Sequence, residues 1–327
     1  MPPQSEGTGS TGQLTSLGGG TVAVYGGRFD EFVLDALRGA LPGTRVVAAG
    51  SQEADEAADV LVTLLGDAPT LVNTLGSRIR WVHILGAGAD GFPFDVLGDR
   101  LLTCSRGAGG PAIAEFVLAT MLAFEKRLPQ SWITELVTPW GTAQLGGLEG
   151  RTLGIVGLGA IGTEVARRAL AFSMEVIGVR RQAAPHPVEE ITLCSDLVTL
   201  LGRSDHLVVA APATPATRHL LDKAAFASVK PGVHLVNVAR GSLVNQDALL
   251  RALDDGRVAM ASLDVVEPEP LPDGHPLYRH PSVRLSPHIS WSSPRTAVRT
   301  ITCFIDNLAR FREGRPLLGV VDTETGY

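Results

Sequence analysis

The stretch TLGIVGLGAIGTEVARRALAF, residues 152–172, limits the fold more than any other part of this 327-residue chain. An apolar run of strand type ends at Gly157, the turn places Gly157, Gly159 and Gly162 in the order GxGxxG, and an alanine-rich helical pattern follows. Each glycine has a mechanical reason. The first permits a tight turn, the second lets the backbone approach a pyrophosphate, and the third lets helix and strand pack closely. The first turn of such a helix offers N–H groups and partial positive charge to phosphates. Alone, GxGxxG is a weak signal. Here a strand precedes it, a helix follows, and MEVIGV at 174–179 supplies a second strand. That context predicts a dinucleotide-binding βαβ unit.

The rest of the chain keeps the same rhythm. TVAVYG at 21–26, RVVAAG at 45–50, DVLVTLLG at 59–66 and IRWVHILG at 79–86 read as strands. DEFVLDALRGAL at 30–41 has helical spacing, with Phe32, Leu34, Leu37 and Leu41 available for one face. A long helix is predicted over PAIAEFVLATMLAFEKRL, 111–128, and another from about 293 to 313. Between 131 and 150, SWITELVTPWGTAQLGGLEG has no clear period and reads as an extended arm or linker. Alternation of strand and helix words predicts α/β architecture with mostly parallel sheets, in two similar domains. The first 20 residues, rich in Gly, Ser and Thr, read as a flexible tail.

Composition narrows the function. Apolar residues make up 45% and charged residues 19%, a globular balance. A net charge of −6 argues against nucleic acid or an anionic membrane as the main partner. Cys104, Cys194 and Cys303 lie far apart without a CxxC pair, which suits a reducing compartment and speaks against a disulfide framework or a metal site. No apolar run reaches the roughly 18–20 residues of a membrane span, and the start lacks the layout of a secretory signal. A cytoplasmic location is expected.

At the position where an NAD site usually carries an acid for the ribose 2′-hydroxyl, the second strand ends Val179-Arg180-Arg181-Gln182. An acid would repel a 2′-phosphate, whereas Arg180 and Arg181 would pair with it. NADP(H) is therefore favoured over NAD(H). Dual use remains open, because a tenfold preference needs only about 1.4 kcal/mol.

These words, with GAGADG at 86–91, IAEFVLATMLAF at 113–124, ATPATRHLL at 213–221, VKPGVHLVNVARGSLVNQDAL at 229–249, SLDVVEPEPLP at 262–272 and SPHIS at 286–290, occur in an order that resembles the D-isomer-specific 2-hydroxyacid dehydrogenases. That family includes glyoxylate/hydroxypyruvate reductases and phosphoglycerate dehydrogenase. The resemblance covers most of 60–315 and is weakest in the N-terminal third. It implies two Rossmann-like domains, the cofactor domain a doubly wound parallel sheet inserted into a smaller flavodoxin-like substrate domain. The substrate domain would comprise about 21–112 and 292–327, and the dinucleotide domain 113–291.

The resemblance assigns roles residue by residue. Arg240 follows the strand-like HLVNVA, and ligands gather outside strand carboxyl ends. A guanidinium there can grip a carboxylate bidentately and polarise the adjacent carbonyl. His288 follows VRL and, among eight histidines, is singled out by position. Histidine titrates near neutrality and can give and retake a proton. Glu269 maps onto the partner that would hold the ring's tautomer, with Glu267 as the rival carboxylate. Asp264 maps near the nicotinamide. Further cofactor contacts map onto Ala160, Ile161, Pro212, Thr217 and Val238, beside Gly157, Gly159 and Gly162. Ala87 and Gly88, in GAGADG, map onto the loop that binds the substrate carboxylate.

What the resemblance implies is hydride transfer between NAD(P)H and C2 of a small 2-oxo or 2-hydroxy acid, in a homodimer whose arm crosses to the partner, with Trp132 and Trp140 as candidates either for that contact or for packing within the chain. Trp291, after His288, and the loop CSRGAGG at 104–110 depart from the common pattern and leave the substrate open. Trp291 would shape the pocket or pack between domains. A formate dehydrogenase would carry Gln in place of Glu269. The other alternative is a non-catalytic, NAD(H)-sensing corepressor, as in the C-terminal binding proteins that share this residue set.

Overall fold

The computed structural model describes residues 20–27, 30–64, 68–137, 139–181 and 188–327. The expected tail lies outside these residues apart from Gly20, as do Gln182 and the end of the run at 59–66. The chain forms two compact units. One takes the residues up to Gly86, Gly91–Cys104 and Ile301–Val321, and the other takes Ala87–Asp90, Ser105–Thr300 and Asp322–Tyr327. These boundaries differ from the expected 21–112, 113–291 and 292–327. The helix at 111–128 joins the larger unit together with the loop before it, and six residues at the end return to that unit.

The smaller unit runs β1 (Thr21–Tyr25), α1 (Asp30–Ala40), β2 (Arg45–Ala48), α2 (Gln52–Ala57), β3 (Ala58–Thr63), α3 (Ala68–Thr74), β4 (Trp81–Ile84) and β5 (Leu101–Cys104). Its sheet has the order β2-β1-β3-β4-β5, and every paired neighbour is parallel. That is the flavodoxin-like order. Its core packs Val22, Val24, Val60, Val62 and Trp81 against α1 and against Phe304 and Leu308. The buried face of α1 is Val33, Leu34 and Leu37, continued by Leu41, and Phe32 is 71% exposed. Three of the four expected residues are thus on the buried face; at 100° per residue Val33 joins them and Phe32 turns away.

The larger unit runs α4 (Gly110–Glu125), β6 (Thr152–Val156), α5 (Ala160–Ala171), β7 (Glu175–Val179), β8 (Thr192–Leu193), α6 (Leu197–Arg203), β9 (His206–Val209), α7 (Lys223–Ala227), β10 (Val233–Asn237), α8 (Gln246–Asp254), β11 (Val258–Leu263) and β12 (Val283–Leu285). A final helix, α9 (Pro294–Arg312), starts here and ends in the smaller unit. The seven strands are parallel in the order β12-β11-β10-β9-β6-β7-β8. Numbered within the unit this is 3-2-1-4-5-6-7, the doubly wound arrangement.

Both faces of this sheet are covered, so its strands read as continuous apolar runs. Leu207, Val209 and Leu235 enter a core with α6, α7 and α8. Their neighbours Val208 and Val236 enter a second core with α4 and α5. Each such buried side chain contributes roughly 1.5–3 kcal/mol. Asp196, Asp222 and Asn245 start α6, α7 and α8 by accepting the backbone N–H groups of Thr199, Ala225 and Ala248. The arm at 131–150 contains neither helix nor strand among its described residues, and Trp132 and Trp140 are 70% and 74% exposed.

A polar chain crosses the second core. The Glu125 carboxylate, at the end of α4, lies 3.1 Å from His206 Nε2. His206 Nδ1 lies 3.2 Å from His234 Nδ1, and His234 Nε2 lies 3.0 Å from Ser262 Oγ. All four side chains are buried. Burial lowers the His206 pKa to about 4 and His234 well below its ordinary value, and it raises that of Glu125.

Candidate active site

In a parallel sheet all strands discharge at one edge. Adjacent strands lie about 4.8 Å apart. Arg240, Asp264 and His288 leave the neighbouring strands β10, β11 and β12 within three residues of their ends. The same edge carries the glycine turn after β6 and Arg180–Arg181 after β7.

His288 has a left-handed backbone, φ 55°. For a residue with a Cβ this costs about 1–3 kcal/mol and persists only where the surroundings enforce it. The enforcing group is Asp264. Its buried carboxylate accepts from Ser286 Oγ at 2.5 Å, Ile289 N at 2.9 Å and Ser290 N at 2.8 Å, and its carbonyl accepts from His288 N at 2.9 Å. The indole N–H of Trp291 donates to the His288 carbonyl at 2.8 Å. Trp291 thus has a third role beyond the two expected for it, holding the loop that carries His288.

The imidazole Nδ1 of His288 is 2.8 Å from Glu269 Oε2. A carboxylate only accepts, so Nδ1 carries the proton and Nε2 is the position for exchange. Glu269 is itself oriented by the N–H of Val266 at 3.1 Å. Glu267 faces elsewhere: Arg218 donates to it at 2.8 Å, and its backbone is bound by Gln246. Of the two carboxylates, Glu269 is the one that meets His288.

Arg240 donates from Nε to Asp90 at 2.7 Å and from Nη1 to the Ala239 carbonyl at 2.7 Å. A guanidinium has five N–H donors. Among the described residues, both on Nη2 and one on Nη1 have no acceptor. Nη2 lies against Gly88, so a side chain there would occupy its space. Ala87 and Gly88 are therefore brought to Arg240. Asn237 ties the loop from inside, donating to the Arg240 carbonyl at 2.9 Å and accepting from Ala239 N at 3.1 Å. Gly241 passes so close to the next loop that a Cβ would stand 2.6 Å from Glu267 N.

Sequence reasoning missed Asp90 and Asn237. Asp90 is the acid inside GAGADG, and Asn237 closes the strand before Arg240; their residue types were the only signal.

The glycine turn meets its mechanical requirements. Gly157 has φ 100°, and a Cβ on it would stand 2.6 Å from Ala211 N. A Cβ at Gly162 would press 3.1 Å from Ile155, which shows why helix and strand pack closely here. Gly159 and Ala160 are exposed, Ile161 is half-buried, and α5 begins at Ala160. The N–H groups of this first turn lack intrahelical acceptors and suit a diphosphate. Gly157 N bonds to the Val179 carbonyl at 3.0 Å, so Arg180 and Arg181 start beside the turn. After β9, Thr217 Oγ1 donates to the Pro212 carbonyl at 2.7 Å and fixes that loop. Val238 is buried at the end of β10. These residues fit a dinucleotide.

A cavity of about 840 Å³ lies at the other edge, among Glu125, Arg151, Asp205, Lys230 and Arg284. Size does not make it the site: Arg240, Glu269 and His288 do not line it, and ligands of open α/β sheets bind at the carboxyl edge.

A doubly wound sheet with a glycine turn, an arginine and a histidine–carboxylate pair at one edge defines a dinucleotide-binding oxidoreductase fold. The model of the D-isomer-specific 2-hydroxyacid dehydrogenase NAD-binding domain matches residues 118–290. The chain belongs to the D-isomer-specific 2-hydroxyacid dehydrogenase family. It is 33% identical over 250 residues to a D-3-phosphoglycerate dehydrogenase of Archaeoglobus fulgidus, covering 75% of this chain and 47% of that one. It is 34% identical over 251 residues to glyoxylate/hydroxypyruvate reductase B of Pectobacterium atrosepticum, covering 73% and 77%. The chain thus spans about half the length of the phosphoglycerate dehydrogenase and three quarters of the reductase. The crystal structure of a family member from Xanthobacter autotrophicus, in complex with NADPH and MES, superposes with a TM-score of 0.81 at 27% identity, covering 94% of this chain and 99% of that one. Among the described residues, no helix is long and apolar enough to cross a membrane.

Proposed function

We propose that this chain is an NAD(P)H-dependent reductase of a small 2-oxo acid, such as glyoxylate or hydroxypyruvate, yielding the D-2-hydroxy acid. The observation that carries the reading is the 2.8 Å bond between His288 and Glu269 at the same sheet edge as Arg240 and the glycine turn. When bound, the reduced nicotinamide supplies hydride to C2 of the substrate. Arg240 holds the substrate carboxylate with the donors left on Nη1 and Nη2, helped by the backbone of Ala87 and Gly88. Asp90 keeps the guanidinium plane from swinging. His288 delivers a proton from Nε2 to the carbonyl oxygen as charge develops there, and Glu269 stabilises the ring during the exchange. Asp264 holds the histidine loop and, with Pro212, Thr217 and Val238, walls the nicotinamide end.

NADP(H) is favoured over NAD(H), because Arg180 and Arg181 stand where an acid would bind a ribose 2′-hydroxyl. We assign the dinucleotide to the larger unit, which carries the glycine turn, Arg180 and Arg181. A cytoplasmic homodimer fits the three sparse cysteines and the exposed arm, where Trp132, Leu136 and Trp140 leave apolar surface uncovered.

The test is turnover of NADPH and NADH with a panel of 2-oxo acids. Consumption of NADPH with glyoxylate or hydroxypyruvate, at higher kcat/KM than NADH, is expected. Tight cofactor binding with no turnover on any acid would overturn the enzymatic reading.

A further inference from the structure

Two segments without a part in the site so far converge on the glycine turn: the loop Ser105–Gly109 and the segment Asp322–Tyr327. Both belong to the larger unit. The loop runs along the start of α5. Gly107 has φ 87°, and a Cβ on it would stand 3.2 Å from the Ala160 Cβ. Immediately before Gly107 sits Arg106. Its guanidinium lies over the ring of Tyr327, 4.1 Å from the centroid. Its Nε is buried and has no hydrogen-bond partner among the described residues. A buried donor without an acceptor is costly and calls for an explanation.

Tyr327 brings its hydroxyl to the turn. A Cβ built on Gly159 would have that hydroxyl as its one heavy-atom neighbour within 4 Å among the described residues, at 3.8 Å. Gly159 is the position whose bare backbone admits the pyrophosphate. The space above it is therefore bounded by a phenol. The phenol is held in place. Asp322 and Tyr327 exchange backbone bonds at 3.2 Å in both directions, and Gly326 N donates to the Asp322 carbonyl at 2.9 Å. The Asp322 carboxylate accepts from Thr325 Oγ1 and Glu324 N, both at 2.9 Å. Those bonds hold the Asp322 carboxyl below the usual carboxylate range, and Arg181 adds to the effect. One closed turn thus extends from the neighbourhood of Arg181 to the glycine at the phosphate position.

We propose that Arg106 and Tyr327 form a clamp on the cofactor's pyrophosphate. The Tyr327 hydroxyl donates to a phosphate oxygen above Gly159, and Arg106 supplies positive charge beneath the ring. An anionic oxygen reached by that guanidinium also gives its buried Nε a strong field to face. The clamp rests on the dinucleotide reading given under the proposed function.

The test uses the full chain and its Tyr327→Phe and Arg106→Met variants. Cofactor fluorescence is titrated with whichever of NADPH and NADH binds more tightly, and urea midpoints report the fold. Tyr327→Phe removes one hydroxyl and keeps the ring over Arg106. Loss of one hydrogen bond to a charged group raises Kd about tenfold. Cofactor KM should rise in step, with kcat at saturation and the substrate KM within about twofold. Arg106→Met should weaken binding at least as much, with a steeper loss at low salt. Should Arg106→Met fail to fold, the Tyr327→Phe titration decides alone. An unchanged Kd in Tyr327→Phe overturns the clamp. So does tighter binding, which would mean that the segment obstructs the site. If the parent chain binds neither cofactor, the dinucleotide reading itself has failed, a result distinct from a parent that binds and a variant that matches it.

Discussion

At the scale of single residues, His288 works through what holds it. Its left-handed backbone is pinned by Asp264 on one side and by the Trp291 indole on the other, and its ring is aimed by Glu269. Replacing His288 with Gln keeps the volume and removes the exchangeable proton. Single-turnover reduction should slow by about 10²–10⁴, with the cofactor Kd within about twofold. Full retained activity would remove His288 from the chemistry. Arg240, Glu269 and His288, to which the proposed function gives the chemistry, could be singled out because each stands in a distinctive word that follows an apolar run. Asp90 was not. It reaches Arg240 across 150 positions of sequence, and nothing local marks an acid in a glycine loop as the brace of a distant guanidinium. Arg106 and Tyr327 were silent for the same reason. Their meeting is a property of how the loop after β5 and the segment after α9 fold back on one turn.

At the scale of elements, the tolerance between neighbouring loops decides where the arginine points. Gly241 lets the β10 loop pass the backbone of Val266 and Glu267. In Gly241→Ala the loops must part, carrying Arg240 away from Gly88. The expected outcome is a stability loss of about 1–3 kcal/mol in urea denaturation, as for overpacking elsewhere. A rise in substrate KM larger than that in cofactor KM should accompany it. Equal rises would mean that the loops move without reorienting the guanidinium. The strands were easy to read where burial on both faces makes them uniformly apolar, as in β3, β6 and β10. β5 and β8 were not singled out: β5 has only four residues, one of them a threonine, and β8 two, too few to show a period. In α1 the period was seen and Leu34, Leu37 and Leu41 are buried, but Phe32 was included in place of Val33, because it is as apolar as the residues that are buried.

At the scale of the whole molecule, three buried histidines link the fold to acidity. Burial holds His206 at about 4 and His83 at about 3, and keeps His234 well below its ordinary 6.5. Released by unfolding, each takes a proton near pH 6.5. The unfolded chain therefore binds more protons between 6.5 and these lowered values, and stability falls as pH falls through that window. Above pH 6.5 the contribution is complete. Each proton is worth about 1.4 kcal/mol per pH unit. Glu125 opposes this, since burial makes the folded state the better acceptor at that carboxyl. Urea midpoints should drop between pH 6.5 and 5, before ordinary carboxylates titrate. A flat profile there would show that the rings are hydrated in the fold.

The line from Glu125 through His206 and His234 to Ser262 has a direction as well as a location. A neutral imidazole has one proton to offer and one lone pair to receive with. If the carboxylate is ionised, every bond in the row must point towards it; if it is protonated, every bond can point away. The row has two settings, and no member can reverse without the rest. Helix α4 and three strands are thereby joined by a vote that has to be unanimous, and a group at position 262 that could accept but not donate would fix which tautomer a ring two links away is allowed to keep.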